Sequence, residues 1–243
     1  MNKLTQISDF RQVLTDYHLS AAARATLQAT NLALLIGPTS SGKNTIIDEL
    51  VKTDKYHRII SDTTRKPRRN NGVLEQDGVE YWFRSEADIL ADLHAGSFLE
   101  AAIIHEQQVS GISIRELQVA AEEGRVAVNE VDIVGADNIH ASKPDAMFFF
   151  IVPPSFDEWM VRMASRGALP EDEVRRRLES SITELSTALE RDYYWFVVND
   201  TFVQTAHKID AAVAARAHDP AEQAHSRQVA EQLLQDTRAH LVE

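Results

Sequence analysis

The sequence predicts an α/β fold built on a parallel sheet. Three observations carry that expectation. Apolar runs short enough for strands alternate with segments of helical period along most of the chain. Several of these runs are apolar throughout, as strands covered on both faces must be. The first of them, residues 31–36, leads directly into Gly37-Pro-Thr-Ser-Ser-Gly42-Lys43, a spacing that turns a strand into a helix around an anion.

In order along the chain, Leu4, Ile7, Phe10, Val13 and Leu14 recur with a helical period, and a second short helix is expected over residues 21–29. Residues 31–36 form the first strand, and a helix over 43–52 follows the glycine loop. Ile59 and Ile60 suggest a second short strand. Residues 65–78 are basic, then rich in Asn and Gly, and read as a loop. Residues 81–83 read as a strand, and Ser85 opens a helix towards Leu93. A strand over 98–104, a helix over 114–123 and buried strands over 125–131 and 147–152 come next. Pro153-Pro154 ends the last of these. Helices over 156–164 and 171–191, a strand over 194–198 and a charged helical tail over 203–243, interrupted at Asp219-Pro220, complete the chain.

Composition bounds the function. Of 243 residues, 44% are apolar and 26% charged, enough to build a full core. The length suits one domain with extensions, or two small ones. The net charge is −12, and such a chain is a poor general binder of nucleic acid, because neutralising phosphates takes clustered Lys and Arg. The absence of cysteine excludes disulfides and thiolate metal sites, and fits a reducing cytoplasm. No apolar stretch approaches bilayer length, and the N-terminus lacks the apolar region of a signal peptide. The expectation is a cytoplasmic chain with neither a membrane nor a nucleic-acid partner.

The glycine loop points to a nucleotide. Gly37 and Gly42 let the backbone fold so that successive N–H groups and a helix N-terminus face phosphate. The candidate phosphate-binding residues are Gly37, Pro38, Thr39, Ser40, Ser41, Gly42, Lys43, Asn44 and Thr45, with Lys43 reaching the β- and γ-phosphates. The residue after such a lysine is normally Ser or Thr, whose hydroxyl holds Mg²⁺. Here it is Asn44, whose amide oxygen can ligate a hard cation directly or through water. No His or Cys cluster has metal-site spacing.

Residues 61–83, SDTTRKPRRNNGVLEQDGVEYWF, carry a resemblance to the guanylate kinase family. The matching elements are Ser61, Thr63-Thr64-Arg65-Lys66-Pro67-Arg68, and Gly78-Val-Glu-Tyr81-Trp-Phe83. They continue in order through Phe98-Leu99-Glu100, Glu130-Val-Asp132, Phe150-Ile-Val-Pro-Pro-Ser155, Ser165-Arg166-Gly167, Arg177-Leu178 and Val197-Val-Asn-Asp200, covering about residues 32–210. The resemblance implies a P-loop kinase fold with an acceptor-binding insert near 61–125 and a helical lid near 156–190. An N-terminal helical extension (1–30) and a C-terminal helical tail (211–243) flank a kinase-like domain over 31–210. The extensions are open to packing on the core, forming a homodimer or binding a partner.

The resemblance also assigns residues. Arg65, Arg68 and Tyr81 match those that hold the acceptor phosphate, for which paired guanidinium forks suit a dianion. Ser61, Glu100 and Asp132 match the readers of guanine, whose N1–H and N2–H₂ donors call for carboxylates. Arg162, Arg166 and Arg177 fall where the lid arginines fall, and Asn199 matches a residue near the adenine of ATP. Glu130 replaces the first acid of an Asp-x-Asp pair and stands near Mg²⁺ or its waters.

Plainer readings stand beside these. Arg65 to Arg69 read alone as a solvated loop, Glu100 as a surface acid and Asp132 as the cap of the next helix. Arg175 and Arg176 coat a helix, pairing with acids at i,i+4.

Two departures bear on specificity. Four extra residues separate Arg68 from Gly78. Where the family has Tyr-Gly followed by Thr or Ser, this chain has Ser110-Gly111-Ile112. Ile112 makes no side-chain hydrogen bond, and Ser110 reaches less far than Tyr. The expected activity is ATP- and Mg²⁺-dependent phosphorylation of GMP or dGMP. The alternatives are a related kinase acting on ribose 1,5-bisphosphate or another nucleoside monophosphate, and a non-catalytic guanylate-kinase-like binding module.

Overall fold

In the computed structural model, the described residues are 4–242 without 71, 166 and 168. The chain opens with α1 (Ile7–Thr15), α2 (Ala21–Ala29), β1 (Leu32–Ile36), α3 (Lys43–Val51) and β2 (Tyr56–Arg58). Short strands follow: β3 (Asp62–Thr63), β4 (Arg69–Asn70), β5 (Val73–Leu74) and β6 (Trp82–Phe83). Then come α4 (Glu86–His94), β7 (Phe98–Ile104), β8 (Gln108–Ser113), α5 (Ile114–Glu122), β9 (Val126–Glu130) and α6 (Ile133–Ser142). The last third holds β10 (Met147–Val152), α7 (Phe156–Ala164), α8 (Glu171–Glu190), β11 (Tyr194–Val198), α9 (Phe202–Ala215) and α10 (Pro220–Val242). The expected α/β class holds. A five-stranded sheet runs in the order β11-β10-β1-β9-β2, and β1 pairs in parallel with β10, which pairs in parallel with β11. Among the described residues no helix is long and apolar enough to cross a membrane.

The chain divides into two compact units. One comprises Leu32–Tyr56, Val128–His140 and the chain from Pro144 onward. Its centre is β1 and β10, every residue of which is buried, as a parallel strand covered on both faces requires. The helix α10 packs on α8, β11 and α7 and buries Ala230, Leu233 and Leu234. Gln223 joins the edge strand through its side chain, accepting from Phe196 N at 2.8 Å and donating to Tyr194 O at 2.9 Å. The C-terminal tail is therefore part of this unit's core, because an apolar helix face and a sheet edge cover each other.

The other unit comprises the chain up to Asn31, His57–Ala127 and Ala141–Lys143. It holds a four-stranded sheet in the order β6-β3-β8-β7, in which β3–β8 and β7–β8 are antiparallel and β3–β6 is parallel. The N-terminal helix α1 packs on α4 and β7 through Phe10, and Leu4, ahead of the helix, joins the same apolar cluster. The carboxylate of Glu86 accepts from the backbone N–H groups of Thr5 and Gln6 at the start of α1. The N-terminal extension falls in this unit and the C-terminal tail in the first. Both extensions bury apolar residues within a unit, which ties each to a core.

Three local expectations shift. The strand expected at Ile59 and Ile60 lies at β2 instead, because Ile60 N donates to the Glu116 side chain at 3.0 Å and leaves the ladder. The loop over 65–78 contains the β4–β5 hairpin, which turns at Gly72 with φ of 84°. The strand β8 was not expected, and it completes a hairpin with β7.

Candidate functional site

The end of β1 delivers the glycine loop as its spacing demands. Gly37 has φ of 135°, and a Cβ there would lie 2.5 Å from Ile151 O. Gly42 has φ of 98°, and a Cβ there would lie 2.4 Å from Asn199 Nδ2. Only glycine meets both the dihedral and the close approach. The loop borders a cavity of about 400 Å³, also lined by Lys43, Asn44, Glu130, Asp132 and Glu184.

Lys43 Nζ donates to Gly37 O at 2.7 Å and Pro38 O at 3.1 Å, and stands 3.9 Å from Glu130. Asn44 Nδ2 donates to Glu130 Oε1 at 3.1 Å. Ser40 and Ser41 are buried, and neither hydroxyl has a hydrogen-bond partner among the described residues. Buried hydroxyls are normally satisfied, so these two mark a place where an oxygen-rich ligand belongs. Thr39 O accepts from the indole N–H of the fully buried Trp159 at 2.7 Å, a brace that the sequence reading missed. Thr45 lies in the first turn of α3.

Asn199 and Arg162 both make hydrogen bonds within the protein. Asn199 is fully buried and its amide is used internally: Nδ2 donates to Ser41 O at 2.7 Å, and Oδ1 accepts from Thr205 at 2.9 Å. It holds the phosphate loop from behind. Arg162 donates to the carbonyls of Asn199 and Asp200 and to Glu158, and its guanidinium lies 5.8 Å from the Phe202 ring centre. Its donors are thus turned to the β11–α9 junction. Arg177 pairs with Glu173 at 2.8 Å, one turn earlier on α8, as Arg176 does with Asp172. Helical spacing pairs all of these arginines alike, so Arg177 shares the surface pattern of its neighbours. Arg166 lies outside the described residues.

Glu130, the last residue of β9, and Asp132, two residues further on, line the same cavity. Asp132 Oδ1 also accepts from Gly135 N at 2.7 Å, so it caps α6. Glu184, on α8, lines the cavity too and was missed. Burial raises its carboxyl above the usual range, while the Lys43 charge pulls it down. Its signal in the sequence was weak, one acid in a helix with several.

The other unit holds the remaining acceptor residues. Arg65 and Tyr81 come together, with the guanidinium carbon 4.6 Å from the ring centre. Arg65 also forms a two-pronged pair with Glu75, at 2.5 and 2.9 Å, and Glu75 accepts from Arg68 N at 2.7 Å. The Arg68 side chain reaches Gln108 Oε1 at 3.4 Å. Glu75 was missed, though an acid within a basic loop was a visible sign of it.

Glu100 stands opposite Ile112 in the β7–β8 register, and Ser110 stands opposite Ala102 and Thr63. Paired residues share a face, so Glu100, Ser110, Ile112 and Thr63 lie on one side of this sheet. Ser110 and Thr63 join their hydroxyls at 2.8 Å. Ser61 is half-buried and its carbonyl accepts from Trp82 N at 3.0 Å. Among the described residues no group of three or more His, Cys, Asp or Glu could hold a metal on its own.

Comparisons with known proteins point to one family. The guanylate kinase family profile matches residues 29–216. A guanylate kinase of Corynebacterium diphtheriae is 34% identical over 187 residues, covering 76% of this chain and 95% of the relative. One from Caldanaerobacter subterraneus subsp. tengcongensis is 34% identical over 185 residues, covering 76% and 86%. A crystal structure of guanylate kinase from Anaplasma phagocytophilum superposes with a TM-score of 0.55 at 23% identity, over 79% of this chain and 88% of that one, a likeness of fold. On this evidence the chain belongs to the guanylate kinase family.

Proposed function

We propose that this protein transfers the γ-phosphoryl group of ATP to GMP or dGMP, giving ADP and GDP or dGDP. One observation carries the reading at the level of the site: Lys43 and the two unpartnered hydroxyls of Ser40 and Ser41 belong to one glycine loop beside an open cavity. That set fits a polyphosphate, and Lys43 would leave its loop carbonyls for the β- and γ-phosphates.

A magnesium ion, when bound, neutralises charge on the phosphates and aligns them. Asn44 and Glu130 would hold it or its waters. An amide and a carboxylate are a hard, all-oxygen donor set, and Mg²⁺ needs only one or two such groups besides phosphate and water.

On the acceptor side, Arg65, Arg68 and Tyr81 hold the monophosphate, while Glu100 and Ser61 receive the guanine edge. An oxygen of the acceptor phosphate attacks the γ-phosphorus, and the bond to the β-phosphate oxygen breaks. The attacking oxygen is already anionic, so no strong general base is required. Arg162, Arg166 and Arg177 are the candidates to reach the transferring group, and Arg162 and Arg177 would do so by leaving the carbonyls of Asn199 and Asp200 and the carboxylate of Glu173. Both nucleotides are available in the cytoplasm, where this reading puts the protein.

The test is ADP release with ATP and Mg²⁺ against GMP, dGMP, AMP, UMP, CMP, IMP and ribose 1,5-bisphosphate. Turnover confined to GMP and dGMP is expected. Turnover confined to another acceptor, or none at all, overturns the proposal.

A further inference from the structure

The geometry points to Tyr17, in the segment ahead of the family match, as a positioning residue for acceptor-base recognition. The inference rests on the reading of Glu100 as a guanine reader and deepens it. The strand β7 does not pair regularly with β8. Phe98 stands opposite Ser113 and Glu100 opposite Ile112, so Leu99 is one residue too many and the ladder bulges there. The bulge has a consequence for side-chain direction. In an unbroken strand, Phe98 and Glu100 would share a face. Because their partners are consecutive residues of β8, the two lie on opposite faces. Phe98 is fully buried against Phe10, Leu90 and Val109, and Glu100 stands on the other side of the sheet. The bulge is therefore what lets one strand serve both the core and the acceptor face.

A bulge leaves backbone groups outside the ladder, and they need other partners. Tyr17 supplies them. Its hydroxyl accepts from Phe98 N at 2.7 Å and donates to Phe98 O at 2.7 Å. One phenolic oxygen thus satisfies both polar groups of the residue at which the register shifts. Tyr17 lies ahead of residue 29, where the family match begins. In this chain an extension to the family domain would fix the backbone that aims Glu100.

Steady-state kinetics on the full chain test this, with GMP varied at saturating ATP and ATP varied at saturating GMP. The proteins are wild type, Tyr17→Phe, Glu100→Gln, the double variant, and Phe10→Leu. The last loosens the same α1 packing without touching the hydroxyl. Tyr17→Phe keeps the ring and removes both hydrogen bonds. We expect it to raise KM for GMP about tenfold, as an unsatisfied buried pair should, with KM for ATP unchanged. Glu100→Gln is expected to raise KM for GMP, and the double variant to be no worse than Glu100→Gln alone. Phe10→Leu should lower Tm and leave KM for GMP unchanged. If Tyr17→Phe leaves KM for GMP unchanged, or multiplies it equally with and without Glu100, Tyr17 only holds the fold. If Glu100→Gln itself leaves KM for GMP unchanged, the reading of Glu100 falls and this proposal falls with it. Calorimetric GMP binding at low temperature gives the same comparison should Tyr17→Phe be too unstable to turn over.

Discussion

The guanidinium of Arg65 and the carboxylate of Glu75 meet fork to fork, with Nη1 at 2.5 Å from Oε2 and Nη2 at 2.9 Å from Oε1. Glu75 is buried, and its hydrogen bonds to Arg65 hold that guanidinium protonated even more firmly than usual. The same Oε2 accepts from the backbone of Arg68. One acid therefore fixes one candidate phosphate arginine by its side chain and the other by its main chain. Two of the N–H donors of Arg65 are committed to this pair, and its flat face lies over Tyr81. That leaves a defined edge for an incoming phosphate, with little rotamer freedom left to lose.

Glu75→Ala is accordingly expected to raise KM for GMP about tenfold and to leave KM for ATP unchanged. It should also lower Tm by several degrees, because removing one partner leaves a half-buried charge uncompensated. Steady-state kinetics and a thermal melt check both. A lower KM for GMP would show that Glu75 competes with the phosphate for Arg65 rather than presenting it.

Lys43→Ala should cut turnover by at least about a hundredfold, the usual cost of removing a group aimed at developing phosphate charge. The fold should survive, since the contacts that Lys43 makes at 2.7 and 3.1 Å are to carbonyls of its own loop rather than to another element. ADP release and circular dichroism together decide this. Unchanged turnover would remove Lys43 from the mechanism.

How far the sequence disclosed these features depended on how local their causes were. The strand β1, the glycine loop and α3 were legible because an unbroken apolar run and two glycines at fixed spacing each have a local physical reason. The twenty residues of α8 were legible from their helical period. Ile60 was misplaced because its amide is taken by Glu116, 56 residues away, a partner that no periodicity reveals. The strand β8 was hidden by Gly111, a poor strand former in isolation. It is required there because a Cβ would lie 2.4 Å from Glu100 O across the pair. The arginines show the same divide. Spacing set Arg162 and Arg177 on helices correctly, but not that the first would turn to two carbonyls and the second to Glu173.

Ile112 gives a test of specificity. It is 1% exposed and stands opposite Glu100, on the face where the family carries a hydroxyl residue. Ile112→Thr should lower KM for GMP several-fold, about the worth of one new hydrogen bond. It should also cost about 1–2 kcal/mol of stability, because a methylene is lost and a hydroxyl buried. Kinetics with GMP and a denaturant titration measure the two effects. A KM that rises or stays fixed would place the base elsewhere than over this face.

Glu184 provides a pH dependence whose sign is fixed. Its carboxyl lies above the ordinary value of 4.5, chiefly because burial disfavours the charge, with Asp132 adding to the effect and Lys43 opposing it. The folded chain therefore binds this proton more tightly than the unfolded chain does. The stability that follows is fully present below about pH 4.5 and is lost as pH rises through the folded value. Glu184→Gln removes the cost of the buried charge. In the absence of nucleotide, the variant should melt a few degrees above wild type near pH 7, and the difference should shrink towards zero below about pH 4.5. Paired thermal melts across this range read the curve directly. A shift of one size at every pH would mean that the substitution acts through packing, and a loss of Tm near neutrality would mean that the attraction to Lys43 outweighs the burial.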